Sequence, residues 1–288
     1  MTGHITVLSP GLLTSIQDVG RPGFRKYGVP RSGVMDEVSS SMANMILNNS
    51  ADDAVLEITL SGPQLQFSGS TSIAISGADL SPRLNMNPIL INKPYKVIAG
   101  DVLSFGKANY GVRSYLSVKG GFQVEQRLGS RSFYKPITGY NRLNKGDQVM
   151  FITTNDTSVT STLLKPDINH FEVNKIDVFE GPEFHLLSSA SKQLLNQSSF
   201  KITNDNNRMG YRLLGEPVIL KSSYNMLTSA VLPGTVQCTP AGGLIILMRD
   251  CQTTGGYPRI LQLADHAISQ LSQKGTGDSF GFTIVNLN

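Results

Sequence analysis

The hexapeptide GDVLSF at residues 100–105 shares its initial Gly-Asp and its final Phe with GDQVMF at residues 146–151 and with GDSFGF at residues 277–282. Each copy is a Gly-Asp turn that leads into a run typical of a β-strand. Gly-Gly-Phe at residues 120–122 precedes the second of these hexapeptides, and Gly-Gly-Tyr at residues 255–257 precedes the third. The two separations along the chain are similar. Self-similarity of this kind indicates duplication of one β unit.

Alternating or β-branched apolar runs recur along the whole chain between these turns, and they predict strands. The predicted strands are Ile5–Leu8, Ala54–Leu60, Ser72–Ser76, Lys96–Ile98, Val102–Phe105, Val112–Val118, Gln148–Thr153, Lys175–Phe179, Phe200–Thr203, Pro217–Leu220, Thr235–Thr239, Leu244–Met248, Arg259–Leu263 and Phe280–Val285. The 28 Gly and 14 Pro residues provide the turns that many short strands need. The sequence therefore predicts a mainly β fold of closed or half-closed barrels with a few short helices.

Three segments have the spacing of amphipathic helices. The first, Met35–Leu47, begins with two acidic residues, which suit the first turn of a helix. The second is Pro182–Asn196, and the third is the short segment Asp265–Gln273. The residues predicted to share one face are Met35, Val38, Met42, Met45 and Ile46 in the first helix and, turned inward, Leu186, Leu187, Ala190, Leu194 and Leu195 in the second.

The length of 288 residues suits about two domains of ordinary size. The stretch most like a linker is Thr153–Asn174, which is rich in Thr, Ser, Asn and Asp. We therefore predict one β-barrel domain at residues 1–170 and a second at residues 171–288.

Charge and composition exclude several classes of protein. The net charge is +4, only 16% of residues are charged, and no basic run reaches five residues, so nucleic-acid binding is not expected. Cys238 and Cys251 are too far apart for the usual zinc spacing and the four histidines are scattered, so no metal site is expected. The N-terminus does not resemble a signal peptide and no apolar run could span a bilayer. We expect a cytoplasmic protein with two reduced thiols.

Three familiar catalytic signatures are missing from the sequence: the phosphate-binding P-loop, the dinucleotide-binding glycine motif and the nucleophile elbow. The long segment at residues 14–36 is instead rich in Gly, Pro and Arg. Its glycines permit close approach of backbone N–H groups to an anion, and Arg21 and Arg31 could clamp a carboxylate or phosphate. The alternative is a surface loop that an Asp18–Arg21 pair braces.

A second polar segment, residues 249–258, follows the apolar strand Leu244–Met248. Gln252, the two threonines, the two glycines and Tyr257 suit a planar amide or ureido group better than a metal. The alternative is a tight hairpin with a buried pair between Asp250 and an arginine.

A third segment, residues 207–213, carries Arg208 and Arg212 four residues apart. Together they could bind an anion, or they could only pair with Asp205 and Glu216. The turn Gly77-Ala78-Asp79 after a strand has a mostly structural interpretation.

These segments also carry a family resemblance. The motifs are GLLTSIQDVGRPGFRKYGVPRSGVMDEVSSSMANMILNN (11–49), VLEITLSGPQLQF (55–67), ISGADL (75–80), RSYLSVKGGF (113–122), LGSRS (128–132), NRMGYRL (207–213), LPGTVQCTPAGG (232–243) and RDCQTTGGYPRI (249–260). In this order they resemble the allophanate hydrolase subunit 2 family, also called the biotin-dependent carboxyltransferase domain or kinase-inhibitor antagonist family. Within it, they are most similar to members that serve as the C subunit of 5-oxoprolinase.

The resemblance implies two tandem cyclophilin-like β-barrel domains with a binding groove between them. It implies a hetero-oligomer with a subunit 1 family protein (the B subunit of 5-oxoprolinase) and with the A subunit. The resemblance implies that this complex as a whole opens 5-oxoproline to glutamate with ATP and Mg²⁺. Inactivity of the isolated chain is expected. Two alternatives remain: a regulatory protein that antagonises a histidine-kinase inhibitor, and a carboxyltransferase acting on carboxybiotin and a urea-like amide, the only version that requires biotin.

The resemblance also implies site residues. The expected catalytic residues are Asp18, Arg21, Arg208 and Gln252. The expected substrate-binding residues are Gly28, Pro30, Gly33, Asp36, Gly77, Ala78, Gly210, Arg212, Thr253, Thr254, Gly255, Gly256 and Tyr257. The sequence departs from the family at Lys274, where an arginine is expected.

Overall fold

The computed structural model describes residues 1–154, 167–221 and 226–286, which form two compact units. The first unit comprises Met1–Arg21 and Ser32–Asp167, and the second comprises Pro22–Arg31 and Ile168–Asn288. The predicted linker Thr153–Asn174 lies in large part outside the described residues. A single boundary near residue 170 does not anticipate that Pro22–Arg31 belongs to the second unit. The division into domains at residues 1–170 and 171–288 stays a prediction.

Within the described residues, the first unit has two antiparallel sheets and one helix. Its strands are β1 (Thr2–Ser9), β2 (Leu13–Gln17), β3 (Val55–Thr59), β4 (Gln64–Phe67), β5 (Thr71–Asp79), β6 (Arg83–Leu84), β7 (Asn87–Pro88), β8 (Pro94–Val97), β9 (Val102–Ser104), β10 (Tyr110–Val118), β11 (Phe122–Gln123) and β12 (Gln148–Ile152), and its helix is α1 (Glu37–Ile46). One sheet has the order β11-β12-β1-β4-β9-β6-β7, and the other has the order β2-β3-β10-β5-β8. One buried core takes alternate side chains from both sheets, such as Ile5, Phe67 and Leu116.

The second unit contains a closed barrel of seven strands in the order β13-β20-β17-β18-β15-β14-β21. These strands are β13 (Lys175–Glu180), β14 (Phe200–Asn206), β15 (Gly210–Leu214), β17 (Thr235–Cys238), β18 (Leu244–Leu247), β20 (Arg259–Leu263) and β21 (Ser279–Ile284). The remaining elements are α2 (Asn169–Glu172), α3 (Ser189–Gln197), β16 (Ser229–Ala230), β19 (Thr254–Gly255) and α4 (Asp265–Ser272). The mainly β fold with few helices is confirmed.

The three Gly-Asp turns of the sequence have one geometry. In the first, the Gly100 amide donates to the Phe67 carbonyl at 2.8 Å, and the Phe67 amide donates to the Asp101 carbonyl at 2.9 Å. The Asp101 carboxylate accepts a hydrogen bond from the Ile98 amide at 2.9 Å. The same three bonds surround Gly146-Asp147 against Val7 and Gly277-Asp278 against Ile202. The sequence repeat therefore corresponds to one turn structure, which occurs three times. Each turn is hydrogen-bonded to a neighbouring strand and leads into the next strand.

The predicted face of the first helix is only partly the buried one: Met35 and Ile46 are buried and Met42 packs against the core. In α1 the buried residues are Ser39, Ser40, Ala43, Asn44 and Ile46, whereas Val38 and Met45 are exposed. The polar inner face is stable because it is hydrogen-bonded: Asn44 donates to the Asp53 carbonyl at 2.8 Å and accepts from the Ser117 hydroxyl at 2.6 Å.

The second predicted helix is interrupted. A single 3₁₀ turn, Phe184–Leu186, precedes α3, and between them Leu187 is extended and fully buried. Ser188 is the N-cap of α3, because its hydroxyl accepts a hydrogen bond from the Ser191 amide. The spacing of the apolar residues alone does not show this helix start. Ala190, predicted to point inward, is exposed.

Two further outcomes concern the third helix and one strand. The third helix is confirmed as α4. The predicted strand Pro217–Leu220 is wrong, because the segment has only the single bridge between Leu187 and Leu220, and its proline cannot donate to a ladder. No helix within the described residues is long and apolar enough to cross a membrane.

Candidate functional site

In the first unit, the Asp18 carboxylate is a buried acceptor. One oxygen accepts from the Gly20 amide at 2.8 Å and from the hydroxyls of Ser130 and Ser132, both at 2.6 Å. The other oxygen accepts from the Arg131 amide at 2.6 Å. Four donors occupy a carboxylate that is only 5% exposed, so Asp18 holds the chain turn at residues 18–21 against residues 130–132.

Arg21 extends the same arrangement. Its side chain is fully buried, and its guanidinium donates to the Ser132 carbonyl. Gly33 lies beside this turn with a φ of +90°, and a Cβ there would come within 2.9 Å of the Gly20 nitrogen. The position therefore requires glycine, because the two backbone segments touch. The predicted residues Asp18, Arg21 and Gly33 form one buried group. The expected connection between Asp18 and Arg21 is made through Ser132, which hydrogen-bonds to both side chains.

The helix α1 begins on a second buried network. Asp36 caps the helix by accepting from the Ser39 amide at 3.1 Å, and the Asp36 amide donates to the Tyr115 hydroxyl at 2.8 Å. Tyr115 donates in turn to Glu57 at 2.9 Å, and the Arg113 guanidinium lies 3.9 Å from the same carboxylate. Burial, then the charges of Glu57 and Asp36, raise the Tyr115 pKa well above its ordinary value, so this phenol is a neutral donor.

Gly77 and Ala78 lie on β5 beneath the start of α1. At Gly77, φ is +93°, and a Cβ would meet the Arg113 carbonyl at 2.5 Å and the Ser39 Cβ at 3.3 Å. Ala78 is fully buried. Gly77 lets the helix approach the sheet, whereas Ala78 belongs to the core of the first unit. Both observations support the structural interpretation of this turn.

Five residues of these two networks were not among the predicted site residues: Glu57, Arg113, Tyr115, Ser130 and Ser132. Glu57 and Arg113 interrupt apolar strands of the sequence with a charge, and a charge buried in a strand needs a partner. That signal could have identified both residues. The pairing of Ser130 and Ser132 with Asp18, more than 110 residues away, has no local signal.

In the second unit, Arg208 and Arg212 have different environments. Arg208 is 8% exposed and makes a two-pronged pair with Asp250, with Nε 2.8 Å and Nη2 3.1 Å from the carboxylate oxygens. Arg212 is exposed and pairs with exposed Asp205 at 3.0 Å. Gly210, between them, pairs with Leu247 of β18. Each of the two arginines therefore has a carboxylate partner. The pair of Arg212 with Asp205 agrees with the alternative interpretation of this segment, in which the arginines only form ion pairs.

The segment Gln252–Tyr257 is the accessible part of the predicted site. Gln252, Thr254, Gly256 and Tyr257 are exposed, and Thr253 and Gly255 are half-buried. Its backbone is fixed where the Val231 amide donates to the Thr253 carbonyl at 3.1 Å and where β16 pairs with β19. At Gly255, a Cβ would lie 2.5 Å from the Gln237 amide nitrogen. The segment therefore presents polar side chains on a backbone held by the barrel.

Gly28 and Pro30 lie in the segment Pro22–Arg31 of the same unit. Gly28 ends a 3₁₀ turn with a φ of +79°, and Pro30 is buried. Arg25 donates to the Val231 carbonyl, so Val231 links this segment to residues 252–257.

Cys251, which directly precedes Gln252, is not part of the accessible segment. Its thiol is fully buried and packs with Val231 and Leu247, and burial raises its pKa to about 11 although the nearby Arg25 opposes the rise. Cys251 is therefore a core residue. Lys274 is also buried, and burial lowers its pKa, although Asp278 opposes the shift.

The predicted site residues thus form sets within each unit. The buried group around Asp18 lies next to the network around Asp36. The Val34 amide donates to the Asp18 carbonyl, and Asp36 follows two residues later in the chain. Within the described residues, no group of three His, Cys, Asp or Glu side chains could hold a metal ion. The catalytic and binding roles of all predicted residues stay predictions.

Comparison with known sequences gives consistent matches. A family profile described as "Carboxyltransferase domain, subdomain A and B" matches residues 27–284. The C subunit of the 5-oxoprolinase of Haemophilus influenzae is 33% identical over 287 residues, which cover 98% of this chain and 92% of that protein. The urea amidolyase of Saccharomyces cerevisiae is 35% identical over 225 residues, which cover 73% of this chain but only 12% of that protein.

Solved structures agree with the fold. The crystal structure of the K. lactis urea amidolyase matches 98% of this chain with a TM-score of 0.88 and 32% identity. That of the Kluyveromyces lactis urea carboxylase matches with a TM-score of 0.88 and 33% identity. The chain spans 19% and 27% of these two proteins, respectively.

Proposed function

Because this chain belongs to the family of carboxyltransferase domains, subdomains A and B, we propose that it is the C subunit of an ATP-dependent 5-oxoprolinase. In this proposal it works with the A and B subunits to open 5-oxo-L-proline to L-glutamate. The observation that carries the proposal is the match in both directions, 98% of this chain against 92% of a 5-oxoprolinase C subunit. Against the urea amidolyase, the same chain matches only a small segment of a longer protein.

The chemistry explains why ATP is part of the proposal. The lactam of 5-oxoproline is a stable amide and therefore a poor electrophile. Phosphorylation of its oxygen by ATP, with Mg²⁺, would create a leaving group for attack by water. Negative charge then develops on that oxygen and on the transferred phosphoryl group, so fixed donors lower the barrier.

The geometry supports different roles for the predicted residues. Asp18 and Arg21 are buried and engaged by residues 130–132, so we infer that they hold the polypeptide turn and do not contact substrate. Arg208 holds Asp250, which lies just before the exposed segment Gln252–Tyr257. We infer that Gln252 and Tyr257 contact the amide and that Arg208 positions their segment.

The test is turnover by the complete complex, with this chain co-expressed with its encoded neighbours. Glutamate and phosphate are followed after addition of 5-oxoproline, ATP and magnesium, with and without this chain. We expect Gln252→Ala and Tyr257→Phe each to lower turnover at least about tenfold, which corresponds to ~1.4 kcal/mol of lost transition-state stabilisation. Glu216→Gln, on an exposed side chain outside the site, is the matched control. No glutamate from a stable complex would contradict the proposal.

A second candidate function, carboxyl transfer from carboxybiotin to a urea-like amide, is favoured by the urea amidolyase and urea carboxylase relatives. It requires a biotinylated carrier protein, so transfer of labelled carboxyl from such a carrier is the distinguishing assay. A stable complex with neither activity would instead favour the regulatory alternative.

A further inference from the structure

The exposed segment at residues 252–257 contributes one strand to a very small sheet. Its strand β19 pairs with β16, and each of these strands has only two residues. A pair of strands this short is not stable by itself, because it forms few hydrogen bonds and buries little apolar surface. The position of the segment therefore depends on connections from this small sheet to the barrel.

Arg259, the first residue of β20, makes such a connection. Its Nη1 donates to the Ala230 carbonyl of β16 at 2.8 Å. Through the other two nitrogens of the guanidinium, Nε and Nη2, it donates to the two carboxylate oxygens of Glu183 at 2.9 and 2.8 Å. One side chain thus joins β16 to the residues that follow β13.

The Glu183 end of this connection is held by the backbone. The Arg259 amide also donates to the Glu183 carboxylate at 2.9 Å, and the Glu183 amide donates to the Arg259 carbonyl at 3.2 Å. The two segments touch at Gly181, where a Cβ would overlap the Arg259 carbonyl oxygen. Glu183 is only 8% exposed, so water and salt screen this ion pair less than a surface pair. The guanidinium is therefore fixed at Glu183 and can hold Ala230 at a defined place.

The Ala230 carbonyl lies next to the backbone of the exposed segment. Ala230 pairs with Thr254, and the amide of the next residue, Val231, donates to the Thr253 carbonyl at 3.1 Å. Displacement of Ala230 therefore displaces the middle of the exposed segment.

We propose that Arg259 is a positioning residue for residues 252–257. By connecting Glu183 to Ala230, it holds this segment in the geometry that binds the amide of the substrate. The role requires arginine, because a guanidinium presents five N–H donors in a fixed plane, whereas the ammonium of lysine is a compact charge that cannot bridge both partners. The inference rests on the proposed function, in which this segment contacts the amide.

Arg259→Lys tests the proposal, because it keeps the positive charge beside Glu183 and removes the connection to Ala230. In the complete complex, we expect kcat/KM for 5-oxoproline to fall at least about tenfold, chiefly through a higher KM, while the KM for ATP stays within about twofold. Arg127→Lys is the matched control, since Arg127 forms an exposed pair with Glu125 at 2.8 Å. Loss of folded protein would instead lower the rate at every substrate concentration and leave both KM values unchanged.

Hydrogen exchange of the purified full chain provides a readout without turnover. We expect Arg259→Lys to accelerate exchange at the Val231 amide and in residues 252–257 at least about fivefold, because the short sheet opens more often without the bond to Ala230. Exchange in β18 should match that of the unaltered chain. If Arg259→Lys does not fold, Glu183→Gln weakens the same connection from its other end and is expected to give the same pattern with smaller changes.

The outcomes separate this role from the proposed function. A higher KM for 5-oxoproline together with faster exchange supports the positioning role of Arg259. An unchanged KM in an active complex, or exchange equal to that of Arg127→Lys, overturns it. If the unaltered complex makes no glutamate, the proposed function fails, and exchange still decides whether Arg259 holds the segment.

Discussion

The Asp18 carboxylate accepts a 2.6 Å hydrogen bond from the hydroxyl of Ser132, a residue 114 positions further along the chain. The Ser132 hydroxyl also accepts from the Asp18 amide at 3.0 Å, so the two residues are joined twice. This double connection fixes the polypeptide turn that carries Arg21. It gives the first polar segment of the sequence a structural role that can be measured separately from catalysis.

Asp18→Ala is expected to destabilise the protein by about 3 kcal/mol, because it leaves buried hydroxyl and amide donors without an acceptor. Unfolding in urea, followed by circular dichroism, measures the change. Asp52→Ala, on an exposed side chain, should change the free energy of unfolding by less than about 0.5 kcal/mol. Equal stability of the two variants would contradict the role assigned to Asp18.

The two arginines of residues 207–213 should respond differently to the same substitution. Arg208→Met is expected to cost about 3–5 kcal/mol, because it leaves the Asp250 carboxylate buried without its partner. Arg212→Met is expected to cost at most about 1 kcal/mol, since its pair with Asp205 is exposed. Thermal unfolding of the two variants side by side makes the comparison, and similar losses would show that the burial difference is irrelevant.

Glu183 should make stability depend on acid pH. The Arg259 side chain donates hydrogen bonds that hold the Glu183 pKa below its ordinary value of 4.5, although burial opposes the shift. A lowered folded pKa means that the stabilisation is present above about pH 4.5 and is lost as the pH falls through the folded pKa. The stability difference between the unaltered protein and Glu183→Gln should therefore shrink in acid.

The measurement is the free energy of unfolding of both proteins across the acid range. Glu180→Gln, on an exposed neighbour at the end of β13, is the control and should track the unaltered protein at every pH. A gap between the unaltered protein and Glu183→Gln that stays constant with pH would contradict the assignment.

Both thiols should be unreactive in the folded protein. Burial raises the pKa of Cys238 and of Cys251 to about 11, from an ordinary value of 9.0. At pH 8 this alone lowers the thiolate fraction about a hundredfold, and burial blocks the reagent as well. An aromatic disulfide reagent should label neither thiol until urea is added, and then label two, or one in Cys251→Ser. Rapid labelling of the folded chain would refute this.

Local features of the fold could be predicted from the sequence. The Gly-Asp turns were predictable because each depends on a positive φ at glycine and on an aspartate that bonds three residues back, as at Gly100 and Asp101. The strands that begin at Val102, Gln148 and Ser279 follow from these turns. Helix α1 was located correctly, but Val38 and Met45 of its predicted face are exposed. Apolar spacing assumes an apolar inner face and cannot anticipate the hydrogen bonds of Asn44.

The sequence by itself determined the mainly β class, the repeated turns and the positions of the polar segments, because these depend on residues close together in the chain. Only the tertiary structure decided which polar residues are buried: Asp18 meets Ser132 and Tyr115 meets Glu57 across long chain separations. It also assigned residues 22–31 to the second unit, where Arg25 meets Val231. The physical reason is that a buried charge or donor is stable only beside a partner, and the fold alone brings such distant partners together.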